Sequence, residues 1–252
     1  MNNCKSQRTP LPAGAVLEKN EETASDQFRT QYQSIIGSIM YAMLGTRPDI
    51  AFAVTRLAKF ASNPSQAHMG YAYYILRYLQ GTKDYALCYD GASNSGLVAY
   101  SDSDWAEDRD DRHSTSGFVF MMANCVVSWA SRRQPTVSLS STEAEYKAAS
   151  DTCRQMAWLR NFGKELGDNM TAPTPLCLDN QGSIFLAVNP AVDRRTKHIE
   201  IRYHYIREFY ESGETDIFYV ASEDQLADQL TKNVPFSSIE KFRSSTGMVS
   251  TP

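Results

Sequence analysis

The sequence has no pair of cysteines spaced for metal or redox work. Its five, Cys4, Cys88, Cys125, Cys153 and Cys177, are odd in number and widely spaced. That spacing excludes a C-x-x-C zinc knuckle and gives no disulfide framework, so reduced thiols in an intracellular protein are expected, cytoplasmic or nuclear. A long hydrophobic run is also lacking. The longest, GFVFMMANCVVSWA, is shorter than a membrane span and is interrupted by Asn124, so no membrane partner is expected. Excess positive charge is absent: the net charge is −4, which argues against a generic polyanion binder and confines nucleic-acid contacts to local basic patches. The opening MNNCKSQRTPLPAG is polar and proline-containing, unlike a secretory signal.

What is present supports a folded chain. The 252 residues suffice for two ordinary domains, or one with a helical appendage. A hydrophobic fraction of 42% and 14 tyrosines supply a core. Residues 1–28 read as a flexible tail, with Pro10, Pro12 and Gly14 and no periodicity. Residues 29–83 read as three helices: QYQSIIGSIMYAML, RPDIAFAVTRLAKFAS with Pro48 near its start, and NPSQAHMGYAYYILRYLQG with Gly81 as its stop. His68 reads as packing or surface.

From residue 84 the pattern changes. YALCY and LVAYSDS are strand-like, and GFVFMM and VVSWAS read as a hairpin about ANC. A helix over 141–166, the short strand LCLD, the helix NQGSIFLAV, a helix ending at Gly213, the strand TDIFYV and a last helix SEDQLADQLTK follow. An antiparallel run followed by crossover helices predicts an α/β fold over 84–235, its sheet part antiparallel and part parallel, with 236–252 left as a C-terminal tail.

Six of the twelve residues in YSDSDWAEDRDD are acids, directly after an apolar strand. Strand alternation puts Val98, Tyr100, Asp102 and Asp104 on one face, with Asp102 still in the strand and Asp104 just past its end. LCLD likewise ends in Asp179. If the two strands are parallel neighbours, their tips lie about 5 Å apart, in the crevice where α/β sheets hold ligands. On the long helix, Ser140 and Glu143 fit a capping box, which gives Glu143 a structural task. Glu145 instead heads the sheet-facing stripe Ala148, Ala149, Thr152, Met156, Leu159, where a carboxylate is costly unless it meets a cation. Asp228 in LADQL is the fourth acid. Any one alone reads as a surface acid. Four elements each placing one at the same end predict a site for hard divalent cations, of the kind that work in pairs on phosphodiesters.

These residues carry a resemblance. YSDSDWAEDRDDRHSTSGFVF, SWASRRQPTVSLSSTEAEYKA, CLDNQGSIFLA, RTKHIEIRYHYIRE and QLADQLTK resemble, in order and spacing, the ribonuclease H domain of Ty1/copia-type retrotransposon polyproteins, over about residues 97–233. YQSIIGSIMYAMLGTRPDIAFAV and ILRYLQGT resemble the segment joining reverse transcriptase to that domain. The resemblance implies an RNase H-like mixed five-stranded sheet with flanking helices, preceded by a small helical subdomain. It implies hydrolysis of the RNA strand of an RNA–DNA hybrid with two Mg²⁺ ions, Mn²⁺ able to substitute, and the reverse transcriptase part of the same polyprotein as a second partner. The catalytic and metal-holding acids carry over to Asp102, Glu145, Asp179 and Asp228. Two features depart from relatives: YVASEDQLADQL has no histidine, leaving Glu223 as the nearest polar candidate, and no YVDD polymerase motif occurs.

Phosphate contacts are expected from Arg194, Arg195 and Lys197, with Arg132 and Arg133 beside them; the alternative is a solvated charged face. Trp129 and Trp158 are expected in the core. His198 and His204, six apart, fall on different helix faces and exclude a zinc pair. Against the nuclease stands a catalytically silent or domesticated remnant that binds nucleic acid or protein. A DDE-type integrase would order its acids Asp, Asp, Glu, unlike Asp102, Glu145, Asp179, Asp228.

Overall fold

The computed structural model describes residues 4–93, 95–189, 199 and 201–251. Helices α1 (Asp26–Gly45), α2 (Ala51–Ala58) and α3 (Gln66–Gly81) come first. α1 begins five residues before the apolar pattern, because the Ser25 side chain accepts from Phe28 N–H and caps it. Its buried residues Tyr32, Ile36, Ile39 and Met43 follow helical spacing. Pro48 opens a 3-10 turn, Pro48–Ile50, that leads into α2. Ser65 caps α3, and His68 Nδ1 accepts in return from Ser65 N–H. His68 is buried and stacked on Phe60 at 3.9 Å, a packing role.

Five strands make the main sheet: β2 (Val98–Ser103), β3 (Thr115–Met122), β4 (Cys125–Arg133), β5 (Thr174–Leu178) and β6 (Thr215–Tyr219), in the order β4-β3-β2-β5-β6. β2, β3 and β4 are antiparallel, whereas β2–β5 and β5–β6 are parallel. The expected mixed sheet is therefore present. Ala123 and Asn124 turn the β3–β4 hairpin, both at positive φ as a tight primed turn requires. The segment YALCY does not join this sheet: β1 (Tyr85–Leu87) pairs with β7 (Met248–Ser250) in a separate two-stranded ladder. Between them in sequence lie α4 (Ser141–Glu165), α5 (Gln181–Val188), α6 (Tyr205–Glu211) and α7 (Phe236–Ser245).

The sheet has an apolar layer on each face. On one, Leu97, Ala99, Phe118 and Phe120 pack with Tyr146, Cys153 and Met156 of α4 and Ile206 and Phe209 of α6. On the other, Val119 and Val126 share a core with Ile36, Ile39, Val54, Leu57 and Ile75 of the first three helices, and with Ile239 and Phe242 of α7. Leu11 and Leu17, in the stretch read as a tail, are buried in that same core. Trp129 lies at its edge and donates through Nε1 to Met43 O at 3.1 Å. Trp158 is not in the core. It is 57% exposed and stacks on Phe162 at 5.3 Å, because position 158 falls off the buried Ala149–Cys153–Met156 stripe of α4.

Most of the acid run belongs to this packing. Asp108 is fully buried and meets Arg56 of α2 at 3.1 Å and Lys59 Nζ, directly after that helix, at 2.7 Å. Lys59 also reaches Asp110 at 2.7 Å, while Arg133 pairs with Asp111 at 2.8 Å. A loop at the sheet's end thus clamps the helical layer. Removing one partner leaves buried charge uncompensated. Asp108→Ala is expected to lower the unfolding free energy by about 3 kcal/mol in urea titrations; a loss below about 1 kcal/mol would mean the pairs behave as surface ones.

Candidate metal centre

Asp102 is the penultimate residue of β2, and Asp179 directly follows β5. Because Ala99 pairs with Leu176 and Tyr100 with Cys177, the same parallel register carried two residues further brings Asp102 level with Asp179. Glu145 lies in the second turn of α4, above those tips. Thr152 Oγ1 on the same face of α4 bonds Ser101 Oγ of β2 at 2.9 Å and sets the helix's height over the strand. Carboxylate oxygens of Asp102, Glu145 and Asp179 all lie within 4.8 Å of one another.

Each acid has its own surroundings. The Ser222 hydroxyl donates to Asp179 Oδ2 at 2.6 Å, and the Thr231 hydroxyl donates to Asp102 Oδ2. Glu145 Oε2 is buried with no hydrogen-bonding partner. Burial first, then the negative charges of Asp102 and Asp179, push the Glu145 pKa up to about 10. Such an orphaned oxygen in an all-oxygen donor set fits a hard divalent cation.

Asp228 stands apart from the group of three. It borders Asp102, and its own ion pair is with Lys232 Nζ at 2.8 Å. Burial, then the Asp102 charge, raise its pKa to about 7 against the pull of Lys232. The element that carries it is not the expected last helix but two 3-10 turns, Ser222–Asp224 and Leu226–Leu230. Gln225, between them, explains the break: its Oε1 accepts from Ala227 N–H, and its Nε2 donates to Ser101 O at 3.0 Å and Cys177 O at 3.4 Å. One side chain thereby ties the turns to both parallel strands, which a continuous helix could not do. The turns also ride on Gly117 of β3, where a methyl group would sit 2.8 Å from Leu230 Cβ.

The neighbouring acids have other tasks. Glu143 N–H donates to Ser140 Oγ at 3.1 Å, while the Glu143 carboxylate accepts from Leu139 N–H at 2.9 Å and pairs with Lys147 at 2.7 Å. The cap is real, though its return bond falls one residue before Ser140. Asp104 Oδ1 accepts from Thr115 N–H at 2.8 Å and joins the ends of β2 and β3; burial lifts its pKa to about 7.

The expected phosphate contacts are less uniform. Arg194, Arg195, Lys197 and His198 lie outside the described residues. Arg133 is engaged by Asp111, and Arg132 lies 5.7 Å over the Phe118 ring. His204 Nδ1 meets the Tyr146 hydroxyl at 3.0 Å. Glu223 is exposed and holds Lys241 only through its backbone oxygen, so Ser222, not Glu223, is the polar neighbour of the acids on that loop. Sequence reasoning missed Ser222, Gln225, Thr231 and Lys232. Only Lys232 had a signal, its i,i+4 spacing from Asp228.

The fold and the site together define a mixed α/β domain with a carboxylate centre at its parallel strand tips. No family model matches the chain. It is 40% identical over 223 residues, 88% of its length, to the retrovirus-related Pol polyprotein from transposon RE1 of Arabidopsis thaliana, and covers 15% of that protein. It is 40% identical over 253 residues to the corresponding polyprotein from transposon TNT 1-94 of Nicotiana tabacum, spanning 98% of this chain and 19% of that one. Among solved structures, RNase H1 from Halobacterium salinarum is 17% identical with a TM-score of 0.36, over 58% of this chain and 99% of that one. The homologues of this chain are thus retrovirus-related Pol polyproteins of copia-type transposons, and the chain spans under a fifth of the length of these curated relatives.

The Glu145 environment predicts a pH signature. Its pKa is raised from 4.5 to about 10 on folding, so the folded state retains the proton and stability falls as pH rises through that window. Without divalent ions at about pH 8, Glu145→Gln is expected to melt at least about 3 °C above wild type, and at about pH 4 the two should coincide. Melting curves followed by circular dichroism decide it; an equal gap at both pH values would contradict the assignment.

Proposed function

We propose that the chain is a metal-dependent endoribonuclease that cleaves the RNA strand of RNA–DNA hybrids, as part of a copia-type polyprotein. The observation that carries this reading is the approach of three carboxylates within 4.8 Å around a buried, unpartnered Glu145 oxygen. Preference for the RNA strand comes from the family resemblance.

Asp102, Glu145 and Asp179 would hold the cation, with Asp228 beside them. A divalent ion bound there supplies the positive charge that favours an attacking water and a leaving oxygen at phosphorus. The chain's own residues set the geometry. Thr231 donates to one oxygen of Asp102 and Ser222 to one oxygen of Asp179, which holds both carboxylates in place. Gln225 locks the two strand tips against the 3-10 turns. Burial gives Glu145 its proton in the absence of a cation, and a neighbouring positive charge releases it. The hydrolysis itself forms one water-oxygen bond to phosphorus and breaks one ester bond, with no covalent protein intermediate required.

The test is incubation of the chain with an end-labelled hybrid and Mg²⁺ or Mn²⁺. Cleavage confined to the RNA strand, lost on chelation and reduced more than about 100-fold in Asp102→Asn, is the expected result. Hybrid binding without cleavage would favour the silent remnant, and cleavage undiminished in Asp102→Asn would point to a contaminant.

A further inference from the structure

Lys232 stands at the rim of the carboxylate centre. Its ammonium lies 2.8 Å from Asp228 Oδ1, with 40% of the lysine side chain and 22% of the aspartate side chain exposed. Burial works against its charge, yet the pair with Asp228 and the fields of Asp102 and Asp179 hold its pKa above the ordinary lysine value. A cation of the chain itself is thus already paired with the fourth acid.

The backbone that carries this pair is pinned. Gln225 ties it to β2 and β5, Thr231 ties it to Asp102, and it lies too close to Gly117 to shift toward the sheet. Only the side chains are free to exchange partners, and a lysine stem is long and flexible. Asp102, Glu145 and Asp179 form their group without Asp228. Asp228 cannot give the same oxygen to an ammonium and to a divalent ion. For Asp228 to become a ligand, Lys232 needs another anion, and a nucleic-acid strand brings one: its backbone phosphate.

We propose that Lys232 is an exchangeable internal cation of this centre. It neutralises Asp228 while no nucleic acid is bound, passes to a backbone phosphate of the arriving strand, and so releases Asp228 to a second divalent ion. The proposal rests on the metal-centre reading above. Its rival is a static i,i+4 ion pair that only steadies the turn.

Two measurements on the full chain separate them, using Lys232→Met and Lys232→Arg, with folding checked by thermal melts. In Mn²⁺ titrations without nucleic acid, counted by electron paramagnetic resonance, wild type is expected to bind one ion well. Lys232→Met should bind a second at least about tenfold more tightly than wild type does, and Lys232→Arg should keep the wild-type pattern. In chelator, the affinity of Lys232→Met for an RNA–DNA hybrid should lose about one unit of salt-dependence slope. Unchanged Mn²⁺ stoichiometry and affinity in Lys232→Met would establish the static pair and overturn the exchange. An unchanged salt slope would overturn the transfer to phosphate. Wild type that binds no Mn²⁺ would remove the metal-centre reading itself, and the exchange with it.

Discussion

The carboxylate centre depends on the parallel register of β2 and β5. That pairing sets Asp102 beside Asp179, and every other feature of the site is arranged around the repulsion it creates. Helix α4 adds a third acid above the tips, buried among the other two. Like charges this close in a poorly hydrated space are unfavourable without a counter-charge. The chain meets the cost in part with neutral donors, Thr231 and Ser222, and with one ammonium, Lys232. Glu145 receives none of these through Oε2, which stays buried without a hydrogen-bonding partner.

The sheet reaches this register because both of its faces are covered. α4 and α6 bury one face, and the first three helices with α7 bury the other. Hydrogen bonds from Trp129 to Met43, from Thr55 to Ser131 and from Gln229 to Asp49 cross between the helical layer and the rest. The acid run after β2 divides its labour along the same line. Asp102 serves the centre, Asp104 joins two strand ends, and Asp108, Asp110 and Asp111 clamp Lys59, Arg56 and Arg133. A stretch that looks like one charge cluster in the sequence is therefore two structures: a site and a fastening.

Much of the fold was legible from pattern. Strand alternation placed Asp102 within β2 and Asp104 beyond it, and the helical stripe separated Glu145 from its capping neighbour Glu143. These succeeded because period and cap are local properties. Failures came where a distant partner overrode local preference. SEDQLADQLTK has the composition of a helix, yet Gln225 finds acceptors on two strands far away in sequence and breaks it into 3-10 turns. YALCY has the composition of a sheet strand, but its partner is β7, near the other end of the chain. Trp158 reads as core by residue type, while its angular position on α4 turns it outward.

By itself, the sequence determined that Asp102 and Asp179 fall at strand tips, the mixed character of the sheet, and the likeness to transposon polyproteins. Tertiary structure alone decided that three of the four acids form a compact group, that the fourth is held by Lys232, and that Thr231, Ser222 and Gln225 orient the rest. The reason is range. Periodicity and capping act over a few residues and are written in neighbouring letters. Charge, burial and hydrogen bonding act over a few ångströms, between residues that only the folded chain brings together.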